Sequence, residues 1–357
     1  MRFRSSSPLF CLISIALSSV NVFSQTDKLD KLLETGHFKA VARTLAASNT
    51  ENPESLYLLS KINQAFRKHD EALQLAQAAV KANPNKAAYH LQLASVLGDE
   101  IDHAGLFKKM SLGSRIRSEL ESAIKLEPRN PDCLFGMMLY DEQAPAIAGG
   151  GKDKAHKMAE EIGRIDASKG YLAQARLARD EKEADKLEAL YLNAVKANPQ
   201  SFDAVMALAA YYASEAQKKY DLADKYAQQA LDLDRNRTGP YVISAEVAAL
   251  KQSWEKLEGV LSQGEQADRD DLCPFYQAAR TLLQLNQELS RAERYLRKYL
   301  SQEPEGFTPP LSAAHWRLGL ILEKQGRRSD AIKELEEALR LQPDFENAKK
   351  DLTRLKG

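Results

Sequence analysis

The sequence has little cysteine, little glycine and no excess of charge of either sign. Its 357 residues include 3 Cys, 17 Gly and 2 Trp, and 50 basic residues balance 50 acidic ones. Balanced charge argues against a nucleic-acid-binding surface, and the scarcity of glycine beside abundant Ala and Leu favours helix. Beyond residue 24 only Cys133 and Cys273 remain, 140 residues apart. We expect both cysteines to be free and buried.

One apolar stretch stands apart from the rest of the chain, at the N-terminus. Arg2 and Arg4 precede an apolar run over 9–22, and the small residues of a cleavage site follow before Gln25. This pattern is typical of a signal peptide, because the run is short and interrupted by serine. An uncleaved anchor is the alternative. The sequence therefore predicts a signal peptide over 1–24 and an exported chain, periplasmic or secreted, with no membrane span once mature.

One layout recurs along the rest of the chain. The stretches PESLYLLSKINQAFRKHDEALQLAQAAVKANP (53–84) and LSAAHWRLGLILEKQGRRSDAIKELEEALRLQP (311–343) show it best, with apolar residues at i, i+3, i+4 and i+7 in both halves. Small residues recur at two sites of the second half, and a proline closes the unit: Ala72, Ala155, Ala223, Ala292 and Ala331; Ala79, Ala123, Ala194, Ala230 and Ala338; Pro84, Pro128, Pro199, Pro304 and Pro343. The pattern predicts closely packed helix pairs that each end at the proline.

These residues resemble the tetratricopeptide repeat, a helix–turn–helix unit of about 34 residues. Units beginning at 53, 87, 131, 168, 202, 238, 273 and 312 cover 53–345. A degenerate first pair over 27–52 and a polar-faced end helix over 346–357 complete a single solenoid over 25–357. The resemblance implies an all-α, right-handed superhelix with a concave inner surface. We expect helix in more than roughly two thirds of the chain, far above the ordinary share, and no sheet.

The stretch APAIAGGGKDKA, residues 144–155, contains three successive glycines before a lysine. A phosphate-binding loop requires G-x-x-x-x-G-K-[ST] after a strand. Here no glycine stands five residues before Gly151, and Asp153 rather than Ser or Thr follows Lys152. We therefore predict an enlarged turn between two helices, with Pro145 ending the first and Asp153 capping the second. The alternative is an anion site at the helix start. Gly-rich inserts of exported bacterial repeat proteins are similar, including periplasmic components associated with tripartite ATP-independent transporters.

Candidate chemistry is sparse. Asp99, Asp102 and His103 lie in the largest insertion, over 98–109, where they form either a metal site or a solvated loop or lengthened helix. No H-E-x-x-H motif or cysteine pair supports a metal. The six histidines are scattered, and none has a serine or cysteine partner in a known catalytic motif. We predict no catalytic, cofactor or metal site, and no enzyme.

The resemblance implies that the fifth residue of each first helix faces the concave groove. Seven of these eight residues are apolar, and they are Tyr57, Leu91, Phe135, Leu172, Met206, Val242 and Trp316, with Gln277 as the exception. They either pack against neighbouring helices or hold a partner segment. Tyr57 and Trp316, near the two ends, are expected to be the least covered. Three cations of the unit at 168, Lys169, Arg176 and Arg179, either receive an acidic group of the partner or are simply solvated.

Together these features predict a non-catalytic exported scaffold that binds a protein or peptide in its concave groove, without nucleic acid. The alternative is a periplasmic transport-associated component that binds a small apolar ligand or docks to a transporter subunit. A scaffold would keep an open groove, whereas a carrier would enclose a deep apolar cavity. The identity of the partner and the oligomeric state stay open at this point.

Overall fold

The computed structural model describes residues 27–48, 52–101 and 104–357. Helices cover 78% of these residues and no strand occurs among them, which confirms the all-α prediction. The predicted signal peptide, 1–24, lies outside the described residues. The helices are α1 (27–34), α2 (Phe38–Ser48), α3 (Pro53–Ala65), α4 (His69–Ala82), α5 (Ala87–Ile101), α6 (Leu106–Leu126), α7 (Pro131–Gln143), α8 (Lys152–Ile165), α9 (Ala167–Asp180), α10 (Ala184–Ala197), α11 (Phe202–Ala213), α12 (Tyr220–Leu233), α13 (Gly239–Leu250), α14 (Trp254–Ala267), α15 (Cys273–Leu285), α16 (Leu289–Tyr299), α17 (Leu311–Lys324), α18 (Arg328–Leu341) and α19 (Glu346–Lys356).

Successive helices pack as antiparallel pairs that stack side by side into a superhelix. The odd-numbered helices from α3 to α17 are the first helices of eight pairs, and each begins at or next to a residue that opens a sequence unit. Local signals fix these starts: the Asn52 side chain accepts from the Ser55 N–H at 2.8 Å, and Pro53 occupies the first position of α3. The same Asn-Pro cap, from Asn130 and Pro131, opens α7. An asparagine cap and a proline with fixed φ both favour helix initiation.

Buried alanines hold the two helices of each pair together. At the early small-residue site, Ala72, Ala155, Ala223, Ala292 and Ala331 are all 0% exposed. The later site is as fully buried, as Ala79 and Ala230 illustrate. A larger side chain would push the paired helices apart. The apolar core therefore forms a series of clusters along the array instead of one globular centre.

The two cysteines differ in burial. Both are free, as predicted, but the prediction that both are buried is wrong for Cys273. Cys133 in α7 is fully buried, and burial raises the pKa of its thiol to about 11. Cys273 keeps partial exposure because it is the first residue of α15, where the chain enters the helix from a loop.

The N-terminal end of the array contacts loops that lie more than 200 residues later in the sequence. The backbone N–H of Lys39 in α2 donates to Glu305 Oε1 at 2.8 Å, and its side chain donates to the Asp270 carbonyl at 3.1 Å. Arg43 Nη1 donates to Asp270 Oδ1 at 3.1 Å, and Phe38 packs edge-on against Phe307 with 5.5 Å between ring centroids. The N-terminal end of the array therefore lies against its C-terminal part.

Glu305 is the buried carboxyl at the contact between α2 and these distant loops. It is 2% exposed, and Lys39 Nζ lies 3.8 Å from its Oε2. Burial, opposed by Lys39, raises the pKa of Glu305 to about 7, and the nearby Asp268 and Asp270 add to the effect. At the exposed edge of the same contact, the hydrogen bond from Arg43 holds the pKa of Asp270 below its usual range. The two carboxyls therefore respond to pH in opposite directions.

The stability of the folded chain should fall as the pH rises from acidic values toward neutrality, because of Glu305. Its folded pKa lies above its unfolded value, so its contribution is complete below the ordinary carboxyl pKa and is lost as the pH rises through about 7. The loss amounts to at most about 3 kcal/mol. Asp270 acts only at lower pH, where its protonation breaks the pair with Arg43.

We expect the Glu305→Gln variant to lose this dependence between pH 5 and 8, because glutamine keeps the acceptor for the Lys39 N–H without the charge. Denaturant unfolding at several pH values measures the effect. Glu303→Gln, an exposed residue of the same loop, is the matched control and should behave as the parent protein. A parent pH profile identical to that of Glu305→Gln would contradict the expectation.

Candidate interaction groove

A large groove lies along the first three units. It has a volume of about 1340 Å³ and is bordered by α1, α3, α5, α6, α7 and the turn after α7. Tyr57, Leu91 and Phe135, the fifth residues of three successive first helices, all line it. Equivalent positions of stacked repeats form a continuous line along the inner wall, which is why residues 34 to 44 apart in sequence meet here. We call this cavity the N-terminal groove.

Tyr57 anchors the wall of the N-terminal groove nearest α1. It is only 9% exposed, and its ring stacks on Tyr89 with 5.2 Å between centroids. The hydroxyl lies 3.4 Å from the carboxylate of Asp30, to which Lys61 Nζ also donates at 2.6 Å. Burial, and then Asp30, raise the pKa of the Tyr57 phenol, so it stays a hydrogen-bond donor at physiological pH. These contacts hold the Tyr57 ring in one position in the wall of the groove.

A hydrogen-bonded chain of side chains runs from this wall into the floor between α3 and α5. Gln92 Nε2 donates to Gln64 Oε1 at 2.9 Å, and Gln64 Nε2 donates to Ser95 Oγ at 2.9 Å and to Asp99 Oδ2 at 2.8 Å. Asp99 is therefore held by an amide of its neighbour. Asp102 and His103, the other two residues of the candidate metal cluster, lie outside the described residues.

The glycine stretch is a tightly held turn at the opposite wall. Residues Ala146–Ala148 form one turn of 3₁₀ helix, and Gly149 follows with φ of 87°, a left-handed conformation that favours glycine. The Tyr140 hydroxyl donates to the Ala148 carbonyl at 2.6 Å, and the Gly151 N–H donates to the Asp141 carbonyl at 2.7 Å. As predicted, the stretch joins two helices, α7 and α8.

One detail of that prediction is wrong. Gly151, not Asp153, is the residue that caps α8, and no side chain accepts a hydrogen bond from its first turn. Asp153 lies one residue inside the helix, where a carboxylate favours the helix dipole instead. Lys152 is 72% exposed, with Nζ 3.5 Å from Glu181 Oε1, so no phosphate cradle is formed from its side chain.

Exposed apolar side chains border the N-terminal groove. Met110 of α6 is 53% exposed, Phe135 of α7 is 37% exposed, and Ile147 of the turn is 87% exposed, and all three line the cavity. Phe107, 88% exposed, lies one turn before Met110 on the same helix. Met110 and Ile147 were not singled out from the sequence. In the sequence, only the extra length of the two units that contain them indicates additional surface there.

The remaining groove positions do not share this cavity. Leu172, Met206 and Val242, the fifth residues of the units that begin at 168, 202 and 238, are half-buried. Trp316 is half-buried too, but α19 covers it: its indole N–H donates to Asp351 Oδ2 at 2.8 Å, and its ring packs edge-on against Phe345 at 5.4 Å. The expectation that the two ends are least covered therefore differs from the structure. The terminal helices α1 and α19 cover Tyr57 and Trp316. Of the three aromatic residues at the predicted groove positions, the interior Phe135 is the exposed one.

The three predicted cations all have acidic partners within the chain. Lys169 Nζ donates to Asp132 Oδ1 at 2.7 Å. Arg176 Nε donates to Asp180 Oδ2 at 2.9 Å, and the Nε of Arg179 lies 3.9 Å from Asp180 Oδ1. An acidic group of a partner would have to compete with these carboxylates, and contact with a partner stays a prediction for all three.

Two further properties concern the described residues as a whole. Across 27–48, 52–101 and 104–357, His, Cys, Asp and Glu side chains nowhere gather in a group of three or more suited to a metal ion. In the same part of the chain, every helix is too short or too polar to cross a membrane.

Comparison with known proteins agrees with the repeat architecture. The model of the tetratricopeptide repeat family matches residues 312–345, the eighth unit. A search of curated protein sequences gives no match. Among solved structures, yeast Tom70 is similar over 95% of this chain and 88% of its own, with 12% identity and a TM-score of 0.50. A tetratricopeptide repeat protein from Parabacteroides merdae aligns over 86% of this chain and all of its own, with 14% identity and a TM-score of 0.44.

These comparisons define the class of fold. The last unit is a tetratricopeptide repeat by sequence, and the chain as a whole is a superhelical solenoid of such helix pairs. At identities this low the likeness extends to the fold alone. Proteins of this architecture are typically interaction scaffolds, but the fold by itself does not determine the function.

The conformation of the glycine turn should depend on Gly150. A Cβ at this position would lie 2.1 Å from the backbone oxygen of Ala144, and backbone cannot give way as a flexible side chain can. We expect Gly150→Ala to destabilise the chain by about 1–3 kcal/mol in denaturant unfolding. The control is Gly259→Ala in α14, where no atom lies within 4 Å of the added Cβ, and where alanine should stabilise by about 0.5–1 kcal/mol. Equal effects of the two substitutions would show that the turn is not constrained.

Proposed function

We propose that the protein is an exported, non-catalytic repeat scaffold whose N-terminal groove binds an apolar segment of a partner protein. The observation that carries the proposal is the exposure of Met110, Phe135 and Ile147, contributed by three separate elements to one cavity. Single exposed apolar residues are normal on a protein surface. A contiguous apolar patch with polar residues around it is typical of an interaction site.

Charge at one end of the N-terminal groove favours a particular flank of that segment. The groove is lined by four carboxylates and three cations: Asp30, Glu34, Asp99 and Asp132; Lys61, Lys109 and Arg117. Lys61 already pairs with Asp30. Beside α1 the two carboxylates of Asp30 and Glu34 outnumber the one ammonium of Lys61, and this negative charge attracts Lys or Arg on the incoming segment. The partner segment proposed is therefore apolar, with a basic residue at the end that approaches α1.

A small apolar ligand in a transport-associated component is the second candidate. The same lining would suit such a ligand, and docking to a transporter subunit is a form of the first proposal. The volume of about 1340 Å³ exceeds the range of roughly 300–1,000 Å³ that is usual for small-molecule pockets. Native mass spectrometry of protein purified from the cell separates the two candidates, since a carrier would retain a bound small molecule.

Truncation of Phe135 should weaken partner binding while leaving the fold intact. We expect Phe135→Ala to cost about 1–4 kcal/mol of binding free energy, as large interface aromatics do, with little change in unfolding free energy because the ring is already 37% exposed. A photo-crosslinking residue placed at Met110 or at Ile147 identifies the partner in the exporting cell. The purified pair then gives the dissociation constant for each variant.

Leu192 provides the matched control. It is 39% exposed on α10 and does not line the N-terminal groove. A partner of the groove should crosslink at Met110 and Ile147 but not at Leu192, and Leu192→Ala should bind it as the parent does. Equal affinity of Phe135→Ala and Leu192→Ala would remove the proposal. A retained small molecule without a crosslinked protein would instead favour the carrier.

Export is the part of the proposal that rests on the sequence alone. Residues 1–24 carry the basic start, the short apolar run and the small-residue site of a signal peptide. We expect the native protein to begin at Gln25, because the peptidase cleaves after small residues. N-terminal sequencing of protein from the periplasm or culture medium tests this, and a mature protein that begins at Met1 would show that the segment is kept.

A further inference from the structure

The helix α6 projects beyond the second helices of other units. In α4 and α18 the early small-residue site, Ala72 or Ala331, is the fourth residue of the helix. In α6 the equivalent position, seven residues before Ala123, is Ile116, the eleventh residue of the helix. The helix therefore begins seven residues ahead of this register, which is about two turns or about 10 Å. We call these first seven residues, 106–112, the α6 spur.

The glycine turn, 144–151, projects beside the α6 spur. Paired helices are antiparallel, so the start of α6 and the end of α7 lie at the same edge of the array. The turn packs on α6, because a Cβ added at Gly149 would overlap the Arg117 guanidinium. Tyr140, whose hydroxyl donates to a carbonyl of the turn, lies 3.9 Å from a Cβ added at Gly113 of α6. The spur and the turn therefore form one projection, contributed by neighbouring units.

Two large apolar side chains of this projection are almost bare. Phe107 of the spur is 88% exposed and Ile147 of the turn is 87% exposed. Among the described residues the next most exposed large apolar side chain, Phe307, reaches only 62%. Met110, one turn after Phe107, is exposed as well. Large apolar side chains are stabilised by burial, so their exposure on a projecting surface indicates a contact that the isolated chain lacks.

Positive charge surrounds these apolar side chains. The stretches 105–115 and 144–154 contain five cations and one carboxylate, that of Asp153, in a chain whose total charge is balanced. The five cations are all exposed, and they are Lys108, Lys109, Arg115, Lys152 and Lys154. Two neighbouring carboxylates offset part of this charge, since Glu100 lies 3.3 Å from Lys108 and Glu181 lies 3.5 Å from Lys152. Five cations against three carboxylates leave an excess of two positive charges.

We propose that the α6 spur and the glycine turn attach the protein to the surface of an anionic lipid bilayer. Phe107 and Ile147 enter the boundary between headgroups and acyl chains, and the lysines around them contact anionic headgroups. The lysine stems let the ammonium groups stay in the headgroup layer while the apolar side chains are buried. A bilayer accepts a convex apolar projection without a matching cavity, whereas a protein partner needs a complementary surface.

Attachment is independent of partner binding in the N-terminal groove, because Phe107 does not line that groove. Met110 and Ile147 do line it, so attachment brings one wall of the groove close to the bilayer. The variant Phe135→Ala separates the two activities. It removes an exposed ring from inside the groove, and it should bind vesicles as the parent protein does even if it loses the protein partner.

Vesicle sedimentation measures the attachment. The protein purified from the exporting cell is mixed with vesicles of phosphatidylglycerol and phosphatidylcholine in equal parts, or of phosphatidylcholine alone. We expect binding to the anionic vesicles and much weaker binding to the neutral ones. Phe107→Ser should weaken the binding by about tenfold or more, the ratio for losing one buried aromatic side chain. Leu192→Ser, an exposed residue of α10, is the control and should bind as the parent does.

The charge is tested by a double substitution with a matched control. Lys108→Gln with Lys109→Gln should weaken binding to the anionic vesicles by about tenfold or more, at roughly fivefold for each charge, and leave binding to neutral vesicles unchanged. Lys349→Gln with Lys350→Gln removes two adjacent exposed charges from α19 and should have no comparable effect. Thermal unfolding should give the parent midpoint for Phe107→Ser, because that ring contacts little of the folded chain.

A tryptophan in the spur shows whether the apolar side chain enters the bilayer. The emission of Phe107→Trp should be quenched by lipids brominated on their acyl chains, whereas the parent protein and Leu192→Trp should not be quenched. This comparison also excludes attachment through residues 1–24, which would leave position 107 outside the bilayer. Equal quenching of Phe107→Trp and Leu192→Trp, or equal sedimentation of Phe107→Ser and the parent, would overturn the proposal. Loss of a crosslinked protein by Phe107→Ser, with no vesicle binding by the parent, would show instead that the spur contacts a protein.

Discussion

Close contact between paired helices is the constraint on which the rest of the structure depends. At each early small-residue site an alanine is fully buried, so the second helix lies directly against the first, as at Ala72 and Ala331. A helix pair of this kind buries only part of its apolar surface, and the remainder is covered when the next pair stacks on it. The superhelix and its concave wall follow from the repetition of this one contact.

Stacking alone would leave the apolar surface of the first and last pairs uncovered. The two ends of the array are covered in different ways. At the C-terminus α19 covers Trp316 through the bond to Asp351. At the N-terminus α2 packs against distant loops, with Lys39 and Arg43 facing Asp270 and the buried Glu305. These contacts join the N-terminal end of the array to its C-terminal part. They also fix α1, which supplies one wall of the N-terminal groove.

The surface around the N-terminal groove is chemically divided. The first three units carry exposed apolar side chains, with the carboxylates of Asp30 and Glu34 at the end beside α1. Around Phe107 and Ile147, where the α6 spur and the glycine turn project, the exposed charges are mostly positive.

The sequence by itself determined the local structure: helix periodicity, the alanine sites and the Asn-Pro caps identify the pairs and their starts. It also placed Tyr57, Leu91 and Phe135 in one register, which follows from repeat length alone. Only the tertiary structure decided which of these side chains stay exposed. Covering by α1 and α19, the position of Met110 and Ile147, and the contact of Lys39 with Glu305 depend on superhelix curvature. That curvature sums small rotations over the whole array, and no local pattern encodes the sum.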